Sequence, residues 1–435
     1  MTRTPVMKRL HQTGGKSSIN RCPTGMNLPA FGVPWQSIGC SSQSYWGTEA
    51  RPLHVFISAG EPSGDLHGAN LAKALKLLDP AINLSGLGGD RMVATGIEPL
   101  VHIRELSVVG FLMVAQRFFD LTRYLDKVRR FFYKHRPDVV VLIDFPGFNW
   151  WVAAKAREFG IPVVYFVPPQ LWAWGSWRVA KMRRLVDRVL CNFPFEEAWY
   201  RQQGVDAILI GHPYFDELES RQVDQDQVKT IQSVGGPVVG ILPGSRDQEL
   251  EYNLGSQLDA ARRISSKFPL AQFHVACFHA EHAARVAEQL NGPFSTLPVT
   301  IHSGKTPEVI AAADMTICVS GSVSLELLQA GVPSIMIYQG KWHMMLIART
   351  LMRCKFISLP NLIADEELFP EFIGHTPLGE ALANRACQWL AHPDEMRVLR
   401  TKLIDLWNET ARPGACDRAA VEIVAMVGKK KQIKG

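Results

Sequence analysis

The chain contains no run close to the roughly 18 uninterrupted apolar residues that a membrane-spanning helix requires, so no transmembrane helix is expected. Its eight cysteines, at 22, 40, 191, 277, 318, 354, 387 and 416, include no CxxC pair, which removes the usual signature of a zinc site or a redox couple. Cys191, Cys277 and Cys318 lie in apolar strand-like runs, where a reduced thiol packs as a small hydrophobe. That usage implies a reducing, cytoplasmic setting. HEXXH, Walker-type and GxSxG patterns are absent, so zinc-protease, P-loop nucleotidase and α/β-hydrolase chemistries lose support. Neither charge sign is in large excess. The 47 Lys and Arg against 41 Asp and Glu leave +6, which permits an anionic partner without requiring one.

The composition that remains is that of a globular protein, 47% hydrophobic and 20% charged, and 435 residues exceed one ordinary core. Residues 1–50 are rich in Gly, Ser, Thr, Pro and Gln and lack periodicity. No apolar h-region follows their basic residues, so they are expected to be a disordered extension rather than a secretory signal. From residue 53 short apolar runs alternate with helical spacing. LHVFIS (53–58), VVVLID (139–144), PVVYFV (162–167) and AILIG (207–211) are too apolar for a one-sided sheet and suit buried parallel strands. The polar stretch 216–233 marks a boundary. The alternation then restarts with PVVGIL (237–242), FHVAC (273–277), VTIH (299–302), MTICVSG (315–321) and PSIMIY (333–338).

These two arrays predict an α/β protein with two Rossmann-like doubly wound domains facing a cleft, over 51–220 and 221–420. The last helix is allowed to cross back, and 421–435, with KKKQIK at 429–434, is expected to be a basic tail. Ligands in such sheets sit at strand carboxyl ends, which directs attention to four turns. The first, GEPSGDLHG (60–68), has Gly60, Gly64 and Gly68 for close backbone approach and Ser63 or Asp65 as helix caps. Glu61 and Asp65 make it a poor pyrophosphate cradle. It is either a structural turn or an acceptor site around Ser63, Gly64 and Asp65. In the second, Asp144 ends a strand and can either take a proton from a hydroxyl or cap the next helix. In the third, Gly244 lets the backbone close on an anion, Ser245 donates or caps, and Arg246 can pair bidentately with phosphate. In the fourth, Ser320, Gly321 and Ser322 expose amides toward a phosphate, and Glu326 can accept from ribose hydroxyls or serve a cap. Asp224-Gln225-Asp226 has DxD spacing but lies in the polar linker, so no metal and no cofactor are predicted.

Between these turns stands PPQLWAWGSWRVAKMRRLVDR (168–188), with Trp172, Trp174 and Trp177 ahead of a basic run. Trp172 and Trp174 start at a strand's carboxyl end. Trp177, Val179, Met182 and Val186 are spaced to face a core, and Arg178, Lys181 and Arg184 share another face, suited to phosphate or anionic lipid. Stacking aromatics beside arginine also permit nucleic acid, but the mild charge and the lack of other such stretches argue against that partner. Phe111–Val114 with Phe118-Phe119, and Trp150-Trp151, are either core or lipid-facing.

Taken in order, SAGEPSGDLHGA (58–69), GLGGDRMVATG (86–96), ELSVVGF (105–111), PDVVVLIDFPGFN (137–149), LWAW (171–174), VDRVLCNFPFE (186–196), GHP (211–213), LPGSR (242–246), SGSVSLE (320–326) and ISLPNLIA (357–364) resemble the lipid-A-disaccharide synthases. The resemblance runs from about residue 53 to about 425. It implies a GT-B type inverting glycosyltransferase that moves 2,3-diacylglucosamine from UDP-2,3-diacylglucosamine to the 6-hydroxyl of 2,3-diacylglucosamine 1-phosphate. The implied location is cytoplasmic, peripheral to the inner-membrane surface, and a homodimer is compatible with it. It also implies that Asp144 is the base and that Asn361 lies near the nucleotide. The pattern departs at Gly147, where an acid is common, and at Pro168-Pro169-Gln170. It departs again at Gly175, where a basic residue is common, and at Ser322-Val323. Acyl-chain preference or acceptor handling would differ there.

Overall fold

The computed structural model describes residues 51–104, 114–352 and 354–434. The expected extension 1–50, the ELSVVGF segment and the side chains of the apolar cluster at 111–119 lie outside the described residues. The first half contains β1 (His54–Ala59), α1 (Pro62–Leu78), β2 (Asn83–Gly88), α2 (Asp90–Val93), β3 (Glu98–His102), α3 (Val114–His135) and β4 (Val139–Ile143). It continues through α4 (Pro146–Glu158), β5 (Val163–Phe166), a 3₁₀ turn at Ser176–Arg178, α5 (Val179–Leu185), β6 (Arg188–Cys191), α6 (Pro194–Gln202) and β7 (Ala207–Leu209). The strands form one parallel sheet in the order β3-β2-β1-β4-β5-β6-β7. Every residue of β4 is buried, as expected for a Val/Ile/Leu run covered on both faces. One face is packed by α3, α4, α5 and α6 through Phe132, Ala153, Met182 and Tyr200. The other is packed by α1 through Leu71 and Leu75.

Two helices, α7 (Pro213–Ser220) and α8 (Gln225–Gln232), connect the sheets across the expected boundary. The second half contains β8 (Val238–Leu242), α9 (Asp247–Lys267), β9 (Gln272–Cys277), α10 (Ala280–Leu290), β10 (Val299–Ser303), α11 (Thr306–Ala312), β11 (Met315–Val319), α12 (Val323–Gln329) and β12 (Ser334–Gln339). It ends with α13 (Trp342–Leu351), α14 (Leu359–Ala364), β13 (Glu371–Gly374), α15 (Gly379–Ala391), α16 (Pro393–Thr410) and α17 (Ala415–Lys434). The strands pair in parallel in the order β10-β9-β8-β11-β12-β13.

The last helix returns to the first sheet, where Ala419, Ile423, Met426 and Val427 join the apolar cluster of α1. The break expected at 421 therefore falls inside a packed helix, because its apolar residues keep helical spacing up to the basic run. The two chain crossings touch. Arg418 donates from Nε to the carbonyl of Ile210 at 2.7 Å and from Nη2 to that of Arg412 at 2.6 Å. Gly211 has φ +88°, and a side chain there would meet the Arg412 carbonyl at 2.9 Å. A small apolar cluster of Phe193, Phe215, Leu218 and Leu325 joins the two halves.

Candidate active site

In a doubly wound sheet the strand order reverses at one pair of neighbours, and the loops leaving those strands diverge to open a crevice. Here the pairs are β1/β4 and β8/β11. The four turns singled out in the sequence leave these four strands, so the topology gathers them into two crevices.

At the β1/β4 crevice the backbone is strained. Asp144, Phe145 and Val167, which follow β4 and β5, have φ of 44°, 45° and 53°, a region that side-chain-bearing residues rarely occupy. A hydrogen bond of 3.3 Å from Asp144 N–H to the Val167 carbonyl joins the two bends. Asn149, fully buried in the first turn of α4, holds the arrangement. Its Nδ2 donates to the carbonyls of Asp144 at 2.8 Å and Ile143 at 3.1 Å, and its Oδ1 accepts from Ser58 Oγ at 2.7 Å. The Tyr165 hydroxyl also donates to the Asp144 carbonyl, at 2.8 Å. The Phe145 ring lies over Gly60, where a Cβ would fall 2.1 Å from Cδ1, so only glycine fits. Gly64, 3.3 Å in the same sense from the Ala59 Cβ, lets α1 start close against β1. Ser63 is exposed in that first turn.

The carboxyl of Asp144 is pushed above the usual Asp range by burial, against the lowering effects of the Phe145 N–H and the Arg246 guanidinium. Glu61, at the N-cap of α1, is raised by desolvation and then by Asp144, and lowered by Arg246. Arg246 comes from the other sheet, at the end of β8. Its positive charge lowers both carboxylates, so the turn after β8 lies within electrostatic reach of the β1/β4 crevice.

The β8/β11 crevice is partly filled by the protein itself. Gly244 has φ +105°, and Glu249 accepts from the amides of Ser245 at 2.9 Å and Arg246 at 3.3 Å and from Arg246 Nη1 at 2.7 Å. A carboxylate thus occupies amides expected to face an anion. Arg246 stays exposed, and its guanidinium is raised by Glu249 first and by Glu61 and Tyr338 further down. Just past β11, Ser320 Oγ donates to the Ile357 carbonyl at 3.2 Å, while Gly321 and Ser322 are exposed ahead of α12.

Several expected ligand-binding residues have hydrogen-bond partners within the protein. Asp65 is buried, and its carboxylate accepts from the amides of Gly89 at 2.6 Å, Arg91 at 3.0 Å and Met92 at 3.1 Å, capping α2 rather than its own helix. Asn361 is fully buried: Oδ1 accepts from Leu368 N–H at 2.9 Å and Phe369 N–H at 2.8 Å, and Nδ2 donates to the Phe369 carbonyl and to Glu371. It shapes the chain beside the β8/β11 crevice and has no free hydrogen-bonding group to offer. Glu326 accepts from the Tyr214 hydroxyl and from Arg221 Nη1 at 2.6 Å, linking α12 to α7. Asp224 of the DxD match caps α8 through the amides of Asp226 and Gln227.

Trp172 is half-buried, donating from Nε1 to Glu196 at 3.0 Å and packing edge-on to Phe195. Glu196, almost fully buried, also accepts from the amides of Asn192 and Phe193, and burial pushes its carboxyl up to about 7. Trp177 does not face the core; it is 61% exposed, while Val179, Met182 and Leu185 turn inward. The 3₁₀ turn at Ser176–Arg178 has three residues per turn, which rotates Trp177 off the stripe that α5 buries. Arg178 is exposed, stacks over the Trp177 ring and passes 3.6 Å from the Cβ position of Gly175, whose φ is +100°. Gly147, another departure beside the crevice, has nothing within 4 Å of its Cβ position among the described residues. Trp150 is core and Trp151 is exposed.

Sequence reasoning passed over Asn149, Tyr165 and Glu249, and weighed Glu61 only as an obstacle to pyrophosphate. A polar residue inside the apolar run FNWWV was the available signal for Asn149, and the three-residue spacing from Arg246 was the signal for Glu249.

A family model described as Lipid-A-disaccharide synthetase matches residues 55–424. A lipid-A-disaccharide synthase of Geobacter metallireducens is 33% identical over 378 residues, covering 87% of this chain and 98% of that protein. One from Coxiella burnetii is 33% identical over 367 residues, covering 84% and 96%. Among solved structures, a putative UDP-N-acetylglucosamine 2-epimerase from Listeria monocytogenes aligns with TM-score 0.59 at 13% identity, covering 88% of this chain and 97% of that one. Anabaena Alr3699/HepE in complex with UDP and glucose aligns with TM-score 0.53 at 14% identity, covering 86% and 100%. At such identities the structures speak for the fold, which is the GT-B arrangement of two Rossmann-like sheets facing a cleft.

Proposed function

The chain belongs to the lipid-A-disaccharide synthetase family, and from that premise we propose that it transfers 2,3-diacylglucosamine, with inversion, from UDP-2,3-diacylglucosamine to the 6-hydroxyl of 2,3-diacylglucosamine 1-phosphate. The products are the β-1,6 disaccharide 1-phosphate and UDP. The family supplies the coarser statement, a glycosyltransferase forming the lipid A disaccharide. The observation that supports the finer one is that Arg246, carried by one sheet, acts electrostatically on Asp144 and Glu61 of the other.

In this reading the acceptor oxygen attacks the anomeric carbon as the bond to the UDP oxygen breaks. The acceptor proton passes to Asp144, whose raised affinity for protons makes it a better base than a free Asp near ~3.9. UDP departs with the bonding pair, and its growing charge is met by Arg246 and by the amides of Gly321 and Ser322, while Ser320, whose own N–H is given to the Ile337 carbonyl, holds the turn. Gly244 and Ser245 shape the approach of the diphosphate. Glu326 retains a second lone pair on each oxygen for ribose hydroxyls. Trp172, Arg178, Ser63 and Gly64 border the acceptor side, and Asp65 and Asn361 act by positioning. The enzyme works at the cytoplasmic face of the inner membrane.

The test is to mix purified protein with both lipid substrates in detergent and follow UDP release and product mass, with and without EDTA. Disaccharide formed at the same rate with EDTA is the expected result. Absence of disaccharide would sink the reading, and loss of turnover with EDTA would sink the metal-free mechanism. UDP-sugar epimerisation without transfer would replace it with an epimerase.

A further inference from the structure

Trp174 and Trp177 are 62% and 61% exposed, an uncommon condition for so large an apolar side chain. They are held outward by design of the local backbone. Leu171 and Ala173 turn inward, the 3₁₀ turn swings Trp177 away from the sheet, and α5 then buries Val179, Met182 and Leu185. The opposite face of α5 carries Lys181, Arg183 and Arg184, all exposed. None of these three makes an ion pair among the described residues. No acidic residue occurs anywhere between 168 and 186. A run of exposed indoles therefore leads straight into a run of unneutralised cations, on the face of the first sheet shared by α4, where Trp151 is also 57% exposed. The patch follows the carboxyl end of β5, next to the β4 end that carries Asp144.

Indole rings have an apolar body and one N–H donor, and they settle at the level of lipid headgroups. Lysine and arginine add attraction to anionic headgroups and reach them on long stems. We propose that Trp174, Trp177, Lys181, Arg183 and Arg184 form the face by which this protein docks on an anionic phospholipid surface. The inference rests on the reading of the acceptor as a membrane lipid and deepens it by naming the contact face. Docking here presents the Asp144 side of the cleft near the layer that supplies a diacylated acceptor. The same chemistry excludes a zwitterionic surface as an equal partner, since the cations would find no net opposite charge there.

The experiment is co-sedimentation of the full chain with vesicles of phosphatidylethanolamine and phosphatidylglycerol, compared with phosphatidylcholine alone. The wild type is expected to bind the anionic vesicles, more weakly as salt rises. The double variant K181E/R184E should lose roughly tenfold or more of that affinity. W174A/W177A should lose about tenfold with its salt dependence retained. All these positions are exposed, so far-UV circular dichroism and thermal melts should match wild type. Disaccharide formation from detergent-dispersed substrates should be unchanged in both variants. Wild-type binding by either double variant overturns the proposal. So does equal binding to phosphatidylcholine, or displacement of the vesicles by a single-stranded oligonucleotide at physiological salt. Failure of the functional reading is recognised separately, as a wild type that makes no disaccharide in detergent, whatever the vesicles show.

Discussion

Asn149 Nδ2 lies 2.8 Å from the carbonyl oxygen of Asp144 and donates to it, so a buried carboxamide fixes the backbone on which the proposed base is mounted. Asn149→Ala would leave Ser58 and the carbonyl groups of Ile143 and Asp144 short of a partner. We expect it to destabilise the fold by about 1–3 kcal/mol. It should also lower kcat by roughly 10²-fold through misplacement of Asp144, with a smaller change in donor affinity. Thermal melts, turnover and UDP titration measure the three effects; unchanged kcat in a folded variant would remove Asn149 from a positioning role.

Asp144→Asn should reduce turnover by roughly 10²-fold or more, because an amide takes no proton. The pH profile carries a sharper test. Burial raises the Asp144 carboxyl and Arg246 lowers it, so the acidic limb of kcat/KM should lie above the ~3.9 of a free Asp. Replacing Arg246 with Met removes the lowering influence. The limb should then move to still higher pH while kcat falls. A limb that stays in place separates Arg246 from Asp144.

Asn361 has both ends of its carboxamide engaged by residues 368–371. Asn361→Ala should cost roughly 2–4 kcal/mol of stability, since several buried groups lose their partners at once. Below its melting temperature the variant should keep UDP affinity within about tenfold of wild type. A stable variant that no longer binds UDP would instead place Asn361 in direct contact with the nucleotide.

His67 and His212 meet edge to face, with ring centroids 6.2 Å apart, and the Nδ1 of His67 has no hydrogen-bond partner among the described residues. Burial pushes His67 down to about 4 and His212 to about 3, the latter helped by His67. Folded, both stay neutral where the unfolded chain would take protons near ~6.5. The unfolded state therefore binds more protons below that pH. Stability is full above it and falls as pH drops from about 6.5 toward 4. His67→Leu should flatten that acid-side loss, seen as a smaller shift in urea midpoint between pH 7 and pH 5. An unchanged slope would place the acid sensitivity elsewhere.

The strand runs were legible because a strand covered on both faces must be apolar along its length, as β4, β5 and β8 are and as β11 is but for Thr316. The less apolar β2 and β3 escaped that reading: NLSGLG and EPLVH carry no such run. The turns at 60–68, 144–149, 242–246 and 320–326 were legible from glycine placement and strand ends. Their partners were not. Asp65 caps a neighbouring helix and Asn361 serves its own loop, partners chosen by geometry that spacing does not encode; Glu249 on the Ser245 and Arg246 amides is the exception, three residues on from the cap.

By itself the sequence determined the alternation of strands and helices, the family, and which side chains stand at strand ends, because these follow from local hydrophobic pattern and turn chemistry. Only the tertiary structure decided that Arg246 of one sheet bears on Asp144 and Glu61 of the other. The same holds for Trp177 pointing outward and the final helix closing over α1. Those outcomes depend on which strands become neighbours and how the chain crosses between sheets, and long-range packing settles both.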